Sequence, residues 1–152
     1  MVNTAPEQPD QRAWALMHRF VEAHSRRGEL AEALGFRLGG GRGKVLLQLR
    51  DGPVTLSGLA EANGLDAPYV TLIVDQLEAH GLVERRPHPG DRRRKLVALT
   101  AAGHNAIATI DAILLRPPPA MAALSPDDLG QLTRIFTRLL DAEDDAENTA
   151  SR

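Results

Sequence analysis

One stretch limits what this chain can become: Gly81-Leu82-Val83-Glu84-Arg85-Arg86-Pro87-His88-Pro89-Gly90-Asp91-Arg92-Arg93-Arg94-Lys95-Leu96-Val97-Ala98-Leu99-Thr100. Two apolar runs, Leu82-Val83 and Leu96 to Leu99, flank a tip holding Pro87, Pro89 and Gly90, the pattern of a β-hairpin with a long loop. Between Leu82 and Val97 six Lys or Arg stand against two acids, a local excess of four positive charges in a chain of net charge −2. A cationic hairpin on a weakly anionic chain points to a polyanion. The alternative, a hairpin that is merely charged and solvated, accounts less well for three consecutive arginines at a tip.

Upstream, Val70, Ile73, Val74, Leu77 and Leu82 recur at spacings of three to five and Gly81 stops the pattern, which predicts an amphipathic helix over Pro68 to His80. Before it, Ser57-Gly58-Leu59-Ala60-Glu61-Ala62 begins with a capping residue type and ends at Asn63-Gly64, a short helix and a turn. Helix, turn, helix and hairpin make a winged helix-turn-helix, and Val54-Thr55-Leu56 is placed as a short strand against the wing base.

Leu77-Glu78-x-x-Gly81-Leu82-Val83-Glu84-Arg85, then Pro89-x-Asp91-Arg92-Arg93, then Leu96-Val97-x-Leu99-Thr100-x-x-Gly103 occur in that order. The string resembles the helix end, wing and following helix entry of the MarR family of bacterial transcription regulators. The similarity in helix order extends from about Gln11 to about Asp141. It implies a mainly α fold with a small β-wing, a winged helix-turn-helix over about 44–99, and dimerisation helices over about 10–34 and 100–141. It also implies a homodimer on double-stranded DNA with a pseudo-palindromic site.

The resemblance places the Pro68 helix in the major groove by its N-terminal half, with Ala67, Pro68, Tyr69, Thr71 and Leu72 as candidates and Gln76 a further polar one. That helix is uncharged where many relatives carry arginine, so base readout falls to Tyr69, Thr71, Gln76 and apolar contacts to thymine methyls. Ser57, Arg86, Arg92, Arg93, Arg94 and Lys95 are the candidates for the wing and phosphates. Arginine's planar, weakly hydrated fork suits a narrow minor groove, and the family pattern gives that part to Arg93. Asp91 either holds Arg93 by an ion pair or only forms the turn.

With no cysteine, disulfides, zinc-thiolate sites and thiol switches are excluded. Histidines 18, 24, 80, 88 and 104 form no His-x-x-x-His pair, and serines 25, 57, 125 and 151 sit in no nucleophile elbow. Neither catalysis, a metal nor a cofactor is expected. Gly43-Lys44 is followed by Val45, so no Walker loop is present. No apolar stretch suits a membrane span or signal peptide, and the cytoplasm is the expected location.

Residues 1–9 read as a disordered leader and 142–152 as an acidic, frayed tail around one domain, 10–141. Helical spacing runs from Asp10 to Leu34 with a weak point at Gly28, and Val45 to Leu49 is the productive part of the next helix. Gly39 to Gly43 reads either as a plain loop or as a flexible entry to a ligand pocket. Thr100 caps a helix striped by Ile107, Ile110, Ile113 and Leu114, which Pro117-Pro118-Pro119 ends. Ser125-Pro126-Asp127-Asp128 starts the last helix, whose stripe is Leu129, Leu132, Ile135, Phe136, Leu139 and Leu140. The expected function is a repressor modulated by a small-molecule effector, its pocket unassigned. A winged-helix module that binds only protein is the alternative.

Overall fold

Apolar residues at helical and strand spacing must bury one face, and in the computed structural model, which describes residues 8–150, they do so around a single sheet. The elements are α1 (Pro9–Ala23), α2 (Arg27–Leu34), α3 (Arg42–Gln48), a 3-10 turn (Leu49–Asp51), β1 (Val54–Thr55), α4 (Leu56–Asn63) and α5 (Ala67–Ala79). There follow β2 (Val83–His88), β3 (Asp91–Leu99), α6 (Ala101–Leu114), a 3-10 turn (Pro119–Ala123) and α7 (Pro126–Ala150). The sheet is antiparallel with order β1-β3-β2, pairing Val54 with Val97 and Val83 with Leu99. The fold is thus mainly α with a small β-wing, and the chain divides into two compact units, Met1–Arg116 and Pro117–Arg152.

In the first unit Val70, Ile73, Val74 and Leu77 of α5 meet Val45, Leu46 and Leu59, together with Val83 and Val97 of the sheet and Ile107 and Ile110 of α6. The junction between wing and α6 is tight. Thr100 caps α6 by accepting from Gly103 N at 3.0 Å, its hydroxyl donates to Gly81 O at 2.6 Å, and Thr100 N donates to Leu82 O at 3.0 Å. A Cβ on Gly103 would fall inside the van der Waals shell of that same Leu82 oxygen, so only glycine fits.

Several boundaries differ from expectation, each for a physical reason. The long first helix is two, and the break lies at residues 24–26 rather than at Gly28, which is inside α2. His24 turns back to Phe20 O at 2.8 Å, and the Arg26 guanidinium donates to Ile113 O on α6, a contact no local pattern encodes. Thr55, not Ser57, caps α4, accepting from Gly58 N at 3.1 Å. Leu114 is 52% exposed and leaves the α6 stripe. Helix α1 begins at Pro9, and the rest of the expected leader, residues 1–7, lies outside the described residues.

The second unit carries the expected start. Ser125 Oγ donates to Asp128 Oδ2 at 2.6 Å while Asp128 N donates back to Ser125 Oγ at 3.2 Å, a reciprocal cap. Those bonds hold the Asp128 carboxyl below its ordinary pKa. Fraying was expected of the acidic tail. The helix instead runs to Ala150, since propagation from an established helix is far easier than nucleation.

Candidate nucleic-acid interface

Three elements present the predicted site: the first turn of α4, the outer face of α5 and the β2-β3 wing. Asp66 caps α5, accepting from Tyr69 N at 2.8 Å, so the helix starts at Ala67 with Pro68 in its first turn. Burial of Val70, Ile73, Val74 and Leu77 turns Pro68, Tyr69 and Leu72 outward, with Tyr69 40% and Leu72 50% exposed. Thr71 is half-buried and its hydroxyl donates to Ala67 O at 2.9 Å. Ser57 is exposed in the first turn of α4, its hydroxyl 3.1 Å from Thr55 Oγ1.

The wing sorts its cations into two groups. Arg85 bridges to Asp75 at 2.5 Å and to Glu78, both on α5, and this double pair ties wing base to helix. Arg86 pairs with Glu84 within β2. Arg93, Arg94 and Lys95 on β3 are exposed and make no ion pair among the described residues. Arg92 also lies in β3, its side chain outside the described residues. Asp91 Oδ1 accepts from Arg93 N at 2.9 Å, so of the two roles open to Asp91 it takes the turn-forming one.

Tyr69 and Gln76, both candidate base readers, also have intramolecular partners that the sequence did not signal. The Tyr69 hydroxyl donates to Gly40 O at 3.1 Å, and Arg42 donates to Gln76 Oε1 at 3.1 Å and to Gly39 O at 2.8 Å. Glycine density marked residues 39–43 as unusual, but nothing local joins them to a helix some 30 positions on. Of that segment Gly39 alone borders a cavity of about 530 Å³, whose other lining residues are Arg27, Gly28, Leu30, Ala31, Arg37 and Leu38. That volume lies within the range of small-molecule sites.

The model of the MarR family matches residues 43–95, from the start of α3 through the wing. Over that stretch the chain matches the MarR family. Among curated sequences, the HTH-type transcriptional repressor NicR of Pseudomonas putida is 31% identical over 111 residues, 67% of this chain. The chain spans 66% of the length of NicR, just under two thirds. Wild-type MarR from E. coli superposes with a TM-score of 0.64 at 25% identity, over 83% of this chain and 95% of that one. RV1404 from Mycobacterium tuberculosis superposes with a TM-score of 0.76 at 25% identity, over 91% of this chain and 97% of that one. The matched stretch contains α4, α5 and β2 and reaches into β3.

Proposed function

We propose that this protein is a dimeric, sequence-specific DNA-binding regulator of transcription, a repressor whose affinity for DNA is changed by a small molecule. The observation that carries the reading is the division of the wing's charge. Arg85 and Arg86 are neutralised by carboxylates, whereas Arg93, Arg94 and Lys95 are left exposed on the strand beyond them. A nine-residue strand extends about 30 Å, enough to carry unpaired cations away from the helix that enters the neighbouring groove. In this reading Pro68, Tyr69, Thr71, Leu72 and Gln76 face bases, Leu72 meeting a thymine methyl. Ser57 and the wing cations face phosphate and the minor groove.

Uncovered apolar faces support the dimer. Helix α1 buries no residue, with Trp14 66% and Val21 65% exposed, and the α7 stripe leaves Ile135 53% and Leu140 59% exposed. A second copy covers both, and two-fold symmetry then sets two reading heads on an inverted repeat. The cavity beside Arg27 and Arg37 is the place for an effector. The decisive experiment selects bound duplexes from fragmented genomic DNA with the purified protein and weighs the complex by sedimentation. An inverted repeat with half-sites about 10 bp apart, bound by two chains, is the expected result. Enrichment of no sequence, with retention insensitive to salt, would transfer the fold to the protein-binding alternative.

A further inference from the structure

Segment 36–42 lies along one stripe of α5 and engages it at four points. Phe36 stacks on His80 with ring centroids 4.3 Å apart, and a Cβ on Gly41 would stand 3.0 Å from Ile73 Cδ1. Arg42 donates to Gln76 Oε1 and Tyr69 donates to Gly40 O, each at 3.1 Å. Positions 69, 73, 76 and 80 follow helical spacing, so they share a face. Gly40 and Gly41 have φ of 66° and 81°, a backbone that side-chain-bearing residues rarely adopt, so the close approach depends on glycine at both.

Hydrogen-bond inventory turns this packing into a statement about recognition. A phenol has one donor; with that donor on Gly40 O, the Tyr69 oxygen offers a partner only its lone pairs. A guanidinium has donors only, so the Gln76 atom facing Arg42 is the carbonyl oxygen, and the amide nitrogen is turned the other way. We propose that segment 36–42 sets the hydrogen-bond polarity of the reading face of α5, with Arg42 a positioning residue that determines base preference without touching a base. Held in this way, Gln76 presents donors, which fit the O6 and N7 acceptors of guanine. A freely rotating glutamine instead pairs with the N6 and N7 edge of adenine. The Tyr69 oxygen, an acceptor, fits the exocyclic amino group of cytosine or adenine.

This inference rests on the proposed reading of DNA by α5, and its test separates the two. Full-length wild type, Arg42→Ala, Arg42→Lys and Gln76→Ala are each carried through selection from a randomised duplex library, with melting temperatures measured alongside. Arg42→Ala is expected to move one symmetric pair of positions from guanine toward adenine, about tenfold in relative affinity, leaving the other positions unchanged. Arg42→Lys, which keeps a donor, restores guanine. Gln76→Ala erases preference at that same pair, and adding Arg42→Ala to it changes nothing more. Should Arg42→Ala fold poorly, Tyr69→Phe keeps the ring, removes the oxygen and is expected to lose discrimination at a different single pair. A base preference left intact by Arg42→Ala, or by Tyr69→Phe where that variant stands in, overturns the inference while leaving DNA reading in place. A wild-type protein that selects no sequence overturns both.

Discussion

Arginine at a wing is informative only once its partners are known. Arg85 has a side chain 22% exposed between two carboxylates, and its charge is already answered; Arg93 is exposed and has no carboxylate partner among the described residues. Arg93→Ala should therefore weaken binding to operator and scrambled duplex alike, because a groove-lining cation works mainly through charge. The slope of log K against log salt should flatten by about one unit per subunit in titrations across salt. Thr71→Ala or Leu72→Ala should cost roughly 1–3 kcal/mol at the operator and spare scrambled DNA. A second residue-scale expectation concerns Ser125. Because its hydroxyl and N–H hold the folded Asp128 carboxyl below the usual carboxylate range, that contribution is fully present above the unfolded pKa. It is lost as pH falls through the folded value. Ser125→Ala should move Asp128 part of the way back toward the ordinary range in an NMR titration and weaken this pH dependence in the helicity of α7, because the backbone N–H bond remains.

At the scale of elements, two junctions fix the wing to the helices. The Arg85 pair links β2 to α5, and Gly103 lets α6 close onto the Leu82 carbonyl. Gly103→Ala drives a methyl into backbone oxygen that cannot move without unpicking the Thr100 bond, so a loss of about 1–3 kcal/mol or more is expected in urea denaturation. Arg85→Met should be milder, about 1 kcal/mol, since the pairs are partly solvated. Its larger effect should fall on operator affinity, through a wing no longer registered on α5. A Gly103→Ala protein as stable as wild type would place the helix entry elsewhere.

For the whole molecule, the proposed assembly turns on faces that this chain leaves open. Fully burying a large apolar side chain contributes about 1.5–3 kcal/mol, so an uncovered stripe of five such residues on α7 has ample reason to find a partner. Deleting residues 125–152 should give a monomer by sedimentation and abolish tight operator binding. Deleting only 142–152 should leave the dimer intact, because the stripe ends at Leu140 even though the helix continues to Ala150. A long truncation that remained a well-folded dimer would move the interface away from α7.

What the sequence determined by itself is what short-range chemistry encodes. Thr100 and Ser125 cap helices, Gly81 stops the apolar pattern of α5, apolar spacing picks the buried face of that helix, and the wing's charge is plain in its residues. Each of these acts within a turn or two of chain, where propensity and periodicity are reliable guides. Tertiary structure decided the rest. The break before Arg27 answers to a carbonyl 87 positions beyond Arg26, and Arg85 is withdrawn from the cationic tip by two acids on α5. Tyr69 and Gln76 gain their polarity from a glycine segment about 30 residues upstream. Periodicity says which face of a helix is apolar or polar, but not what will lie against it, because that depends on where distant chain returns once the core has closed.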